Sequence, residues 1–138
     1  MQAEQSTAPP ARDPGPVTVA ERPRRPAVRT VGQDLQGATV VEFHGDIDIA
    51  TTYQSTRHLD AATAGTAPLV VLDLRGVTFI DSTGLGPISR AWCRAVDRGG
   101  DLILLCTEPR ILSILRLAGL TPTIAVTRFY PRMFTWPA

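Results

Sequence analysis

Apolar positions along this chain fall into short blocks, parted by glycine, proline and aspartate, and the blocks follow two periods. Thr39-Val40-Val41-Glu42-Phe43, Leu69-Val70-Val71-Leu72-Asp73-Leu74 and Leu102-Ile103-Leu104-Leu105-Cys106 are compact apolar runs of strand length. Leu85, Ile88, Trp92, Ala95 and Val96 recur at helical spacing, as do Ile111, Ile114, Leu115 and Ala118. Ala27 to Val31 predicts a modest strand, and the Gln36-Gly37 turn signal joins it to Thr39–Phe43 as an antiparallel hairpin. Ala50 to about Ala64 predicts a weakly amphipathic helix, with Tyr53 and Leu59 as anchors, Asp48 or Thr51 as cap and Gly65 as stop. Pro68 to Leu74 has the unbroken apolar character of a central strand covered on both faces. Arg75 to Ile80 makes a short return.

After that return Asp81-Ser82-Thr83-Gly84-Leu85-Gly86 opens the second helix, whose first turn includes Pro87 and which Gly99-Gly100 ends. Glu108-Pro109 opens a third helix that closes at Gly119, and Thr123 to Val126 supplies a last short strand. The order β-β-α-β-α-β-α-β implies a single α/β domain, a mixed sheet with helical crossovers. Functional residues of such sheets gather at the carboxyl ends of the parallel strands. Two turns fall there, Gly45-Asp46-Ile47-Asp48 and the Asp81–Gly86 stretch.

Composition narrows the function. The chain has 138 residues, 43% of them hydrophobic, which suits one domain. Net charge is +1, from 14 basic and 13 acidic side chains, so no electrostatic case exists for direct nucleic-acid binding. Every basic residue is Arg. No stretch approaches the ~18 apolar residues of a membrane span, and the amino-terminal residues carry no apolar signal core, so the expected location is cytoplasmic. Cys93 and Cys106 lie within apolar segments and read as small buried hydrophobes in a reducing compartment. Residues 1–26, broken by six prolines including Pro9-Pro10 and ending in an Arg cluster, are expected to form a disordered tail. Residues 129–138 carry Phe129, Tyr130, Phe134 and Trp136 and are expected to form an irregular tail, either docked or offered as an apolar contact surface.

The Asp81–Gly86 stretch has two local readings. Asp, Ser and Thr cap helix N-termini. An exposed Ser hydroxyl at a helix start also sits where free N–H groups and the helix dipole favour an anion, a good place to add and remove a phosphate. Other chemistries fit less well. Ser82 with His44 or His58 lacks the Gly-x-Ser-x-Gly spacing of a nucleophile elbow. Two histidines and two separated cysteines form no closed metal set, and the glycines are too few for a phosphate-cradling loop. Leu85, Ile88 and Trp92 are expected to be core or half-buried, with Leu85 and Pro87 still exposed enough to join an interface.

Taken together, these stretches resemble STAS domains of the anti-sigma-factor antagonist type. The resemblance runs from about Ala27 to Val126. It rests on Phe43-His44-Gly45-Asp46-Ile47-Asp48, Leu72-Asp73-Leu74-Arg75-Gly76-Val77, Phe79 through Gly86, Gly99-Gly100 and Leu117-Ala118-Gly119-Leu120, in that order. It implies a single STAS-like domain over residues 27–128. It further implies a non-enzymatic binding module whose unphosphorylated form holds an anti-sigma factor and so frees a sigma factor. That anti-sigma factor, a serine kinase carrying its own ATP, phosphorylates Ser82 (with Thr83 as second acceptor) and thereby ends the binding; a separate serine phosphatase reverses it. The implied partner-binding set is Asp46, Asp48, Asp81, Ser82, Thr83, Gly84, Leu85 and Gly86, with no cofactor, metal or catalytic residue. The family also contains unphosphorylated scaffolds and transporter-associated subunits. Pro87 departs from the family pattern, which has a non-proline apolar residue there.

Overall fold

The computed structural model describes residues 27–34 and 37–130. The expected tail over residues 1–26 and all but the first two residues of the aromatic segment lie outside the described residues. Strand β1 (Val28–Gln33) and strand β2 (Thr39–Ile47) form the hairpin, and a 3-10 turn (Ile49–Thr51) leads into helix α1 (Thr52–Ala62). Strand β3 (Leu69–Ile80), helix α2 (Ser82–Asp97), strand β4 (Asp101–Leu105), helix α3 (Pro109–Leu117) and strand β5 (Ala125–Thr127) complete the order. The sheet runs β1-β2-β3-β4-β5, antiparallel between β1 and β2 and parallel thereafter. This is the mixed α/β sheet with helical crossovers that the apolar blocks imply.

Alternation along the strands divides the core in two. Val41, Phe43, Val70, Leu72, Leu74, Leu102 and Leu104 face the helices, where Leu59, Ile88, Ala95, Ile111 and Leu115 pack on them. Val40, Val71, Ile103 and Leu105 form a second buried cluster with Ala38, joined by Tyr130 and by no helix residue. Helices α1, α2 and α3 thus cover one face, and β3, the middle strand, is buried on both.

Local chemistry fixes the boundaries, and several differ from the apolar pattern. β2 runs on through Gly45 and Asp46 to Ile47, and β3 continues unbroken from Leu69 to Ile80 where a return was expected. The two pair in parallel throughout, with register shifts at Glu42/His44 and Gly45/Asp46 that carry both strands past the region where apolar alternation lapses. Tyr53 is exposed and anchors nothing, because Ser55 and Leu59 form the buried face of α1. Val96 and Cys93 on α2 are also exposed, since Gly84, Leu85, Pro87, Ile88, Ala91 and Ala95 make its inner stripe. Cys106 is buried as expected. Pro87 lies in the second turn of α2 rather than the first, so Thr83 lacks the N–H that would ordinarily bond its carbonyl. Arg98 caps that helix and Gly99 follows at φ +82°, the left-handed conformation that ends helices.

Candidate functional site at the carboxyl ends of β2 and β3

Parallel pairing brings Ile47 beside Ile80, so Asp48 and Asp81 leave adjacent strands at the same edge. The Asp81 amide donates to the Ile47 carbonyl at 3.2 Å and ties the two exits together. Gly84 packs against the same carbonyl so closely that a Cβ there would lie 2.5 Å from the Ile47 oxygen. The first turn of α2 therefore rests on the end of β2.

Asp81 organises that turn. One carboxylate oxygen, Oδ1, accepts from the Thr83 amide at 3.0 Å, the Gly84 amide at 3.1 Å and the Thr83 hydroxyl at 2.6 Å. The Thr83 hydroxyl holds the Asp81 carboxyl below the usual range; burial opposes it, and the Gly84 and Thr83 amides add to the lowering. The amides of Gly84 and Leu85 also donate to the Asp81 carbonyl. The amides of this helix start are thus largely engaged, rather than free as the sequence suggested.

The two hydroxyls consequently differ. Thr83 Oγ1 is committed to Asp81, while the Ser82 hydroxyl is exposed and has no hydrogen-bond partner among the described residues. Asp46, also exposed, accepts from the Thr78 hydroxyl at 3.0 Å across the β2–β3 pair. Asp48 accepts from the Ala50 amide at 2.9 Å and receives Thr51 Oγ1 on its own amide at 3.0 Å, a reciprocal cap that fixes the 3-10 turn. The cap resolves the choice left open in the sequence, since Thr51 makes no side-chain cap to α1.

Of the expected partner-binding set, Asp46, Asp48, Asp81, Ser82, Thr83 and Gly86 share this edge with at least part of their surface accessible. Gly84 and Leu85 are buried and act from beneath, as is Pro87, which was expected at the surface. Leu85 faces the core because it falls on the inner stripe with Ile88.

A second polar constellation was not foreseen. Where the apolar cluster on the face away from α1, α2 and α3 ends, Arg29, Glu42, His44, Asp73, Arg75 and Gly76 line an open basin of about 420 Å³. Arg75 donates to both Asp73 oxygens, at 3.0 and 2.9 Å, and its amide donates to one of them. Burial pushes the Asp73 carboxyl up, but these bonds outweigh it and hold the group below its ordinary value. Arg29 pairs with Glu42 at 2.8 Å, and His44 Nε2 lies 3.1 Å from the same oxygen. The sequence signal was available: Glu42 and His44 on β2 and Asp73 and Arg75 on β3 are polar side chains two residues apart in otherwise apolar strands, with Arg29 on β1.

The chain matches the STAS domain family over residues 29–133. It belongs to that family. A STAS-domain anti-sigma-factor antagonist protein from Planctomyces limnophilus aligns with 77% of this chain and 93% of its own, at 21% identity and a TM-score of 0.66. An anti-sigma factor antagonist from Mycobacterium paratuberculosis aligns with 77% of this chain and 90% of its own, at 24% identity and a TM-score of 0.65. The unphosphorylated form of the anti-sigma factor antagonist SpoIIAA aligns with 78% of this chain and 93% of its own, at 16% identity and a TM-score of 0.60. This STAS domain therefore shares the fold of anti-sigma factor antagonists at low sequence identity. Among the described residues, no helix is long and apolar enough to cross a membrane.

Proposed function

We propose that this STAS domain is an anti-sigma-factor antagonist switched by phosphorylation of Ser82. The observation that carries the reading is the difference between two adjacent hydroxyls. Thr83 Oγ1 is held by Asp81 at 2.6 Å, whereas Ser82 Oγ is exposed and unengaged at the start of α2. In the unphosphorylated state the edge formed by Asp46, Asp48 and the Asp81–Gly86 turn binds an anti-sigma factor and withdraws it from its sigma factor. That partner carries ATP and acts as the serine kinase. Ser82 Oγ attacks the γ-phosphorus, the Oγ–P bond forms, the bond to the departing ADP breaks, and the hydroxyl proton passes to a base on the kinase. Hydrolysis by a separate serine phosphatase restores the hydroxyl. This chain supplies only the acceptor, so it is a binding module rather than an enzyme, and it acts in the cytoplasm beside its partner.

The physics of the turn supports a switch that works at the interface. A phosphoserine carries about −1.5 to −2 charges. The amides of Thr83 and Gly84 already bond Asp81, so a phosphate on Ser82 projects outward instead of being cradled. A partner packed over the turn then meets a desolvated dianion beside the Asp81 carboxylate. Losing a hundredfold to ten-thousandfold in affinity takes about 2.7–5.5 kcal/mol, well within reach of such a charge.

The test is a pull-down from native extract with wild type and Ser82→Asp as baits, with phosphopeptide mapping of the native protein. An ATP-dependent serine kinase held by wild type, lost by Ser82→Asp and labelling Ser82 is the expected result. Retention of the same transporter or scaffold proteins by both baits, with Ser82 unmodified, would sink the proposal.

A further inference from the structure

Beside the switch, two large apolar side chains face solvent: Ile49 is 75% exposed and Tyr53 is 73% exposed. They stand four residues apart where the 3-10 turn passes into α1, one helical step along the same side. Their position relative to Ser82 follows from how α1 and α2 are joined. Arg90 donates to both oxygens of Asp60 at 3.2 Å, and Arg94 donates to the Thr63 hydroxyl at 2.9 Å and the Asp60 carbonyl at 3.2 Å. Each helix leaves the carboxyl end of one of two parallel strands, so the two run in the same direction. These ties match α1 residues with α2 residues 30 to 34 further along. Carried back to the helix starts, that offset sets Tyr53 level with the stretch from Thr83 to Pro87. Seven residues are nearly two whole helical turns, so Tyr53 lies on the same flank of α1 as Asp60, the flank turned toward α2. On α2 the exposed residues at this level are Ser82, Thr83 and Gly86, none of them large, and a side chain at Gly86 would meet open space. The result is a shallow saddle with Tyr53 and Ile49 as its wall and the Ser82 turn as its floor.

The saddle is rigid and acidic. The reciprocal Asp48–Thr51 cap holds Ile49 outward before any partner arrives, which lowers the ordering cost of binding. Asp46, Asp48 and Asp81 ring it, and among the described residues none of the three forms an ion pair. The nearest cation on α1, Arg57, sits 5.8 Å from the centre of the Tyr53 ring.

We propose that Ile49 and Tyr53 are the affinity anchors of the partner surface, distinct from the Ser82 switch. They receive one occupant, the ATP-carrying kinase partner, through an apolar patch on that protein bordered by Arg or Lys side chains that face the three carboxylates. The proposal rests on the switch reading and assigns its missing half. Ser82 decides whether the partner binds, and the wall decides how tightly.

The experiment uses the full chain and the purified kinase recovered with wild type. Ile49→Ser and Tyr53→Ser alter exposed positions, and circular dichroism checks that each variant is folded. Leu117→Ser, at an 87% exposed position in the last turn of α3, is the control. Calorimetry is expected to show about tenfold to hundredfold weaker binding for each wall variant and no change for the control. Steady-state phosphorylation of Ser82 is expected to show a raised KM with kcat retained, the signature of lost uniform binding. Wall variants that bind and are phosphorylated like wild type overturn the anchor proposal and leave the switch standing. If wild type itself neither binds a kinase nor accepts phosphate at Ser82, the switch reading fails and the anchors fail with it.

Discussion

Gly84 and Ile47 touch backbone to backbone: a Cβ on Gly84 would lie 2.5 Å from the Ile47 carbonyl oxygen and 2.9 Å from its Cγ2. This contact seats the start of α2 on the end of β2, and so holds Ser82 at the same edge as Asp46 and Asp48. The neighbouring atom is mainly backbone, so it has little room to retreat.

Gly84→Ala is therefore expected to push α2 away from β2. Overpacking of this kind costs about 1–3 kcal/mol, partly offset by about 1 kcal/mol of better helix propensity. Urea denaturation should show a net loss of up to roughly 2 kcal/mol. Partner affinity should fall further than stability does, because the acceptor moves relative to the acidic residues.

Asp81→Ala removes the acceptor that engages Thr83 Oγ1 and two amides. The melting temperature should fall, and the freed Thr83 hydroxyl should begin to compete with Ser82 as acceptor in phosphopeptide maps. Asp81→Asn retains a capping oxygen and should leave the Ser82 preference intact.

Acid should unfold the domain through its paired carboxylates. Arg29 beside Glu42, Arg90 beside Asp60, and the Arg75 fork on Asp73 (against the upward push of burial) all hold carboxyls below their ordinary values, as the Thr83 hydroxyl does for Asp81. The unfolded chain then binds more protons than the fold through the mildly acidic range. The stabilisation is complete above the ordinary carboxylate values and is lost as pH falls through the lowered ones. Urea midpoints at neutral pH should exceed those at pH ~3–4. Arg75→Gln should shrink that difference and cost about 1.5–3 kcal/mol at neutral pH, since Asp73 is almost fully buried.

Ser55 offers a stabilising change. Its hydroxyl is buried in α1 with no hydrogen-bond partner among the described residues. Ser55→Ala removes an unsatisfied group and improves helix propensity, for a gain of about 1 kcal/mol. A thermal melt should rise by roughly 3–6 °C. An unchanged or lower midpoint would show that the hydroxyl is satisfied in solution.

The sequence by itself determined the element order, the mixed sheet and the family. Runs such as Leu69–Leu74 have no alternative to a strand covered on both faces, and Asp81-Ser82-Thr83 has the composition of a capped helix start. Those are local properties of side-chain volume, polarity and hydrogen-bonding capacity. Tertiary structure decided what local pattern leaves degenerate. Tyr53 reads as an anchor by its size, but the packing of α1 turns Leu59 inward and Tyr53 out. Pro87 reads as a surface contact by its place near the turn, but it falls on the inner stripe of α2 and is buried there with Leu85. Local composition does not distinguish the Ser82 and Thr83 hydroxyls; the family resemblance ranks Ser82 first, and the direction of the Asp81 carboxylate supplies the physical difference. Composition and spacing state which groups are present, whereas the direction of a side chain depends on backbone contacts between residues distant in the chain.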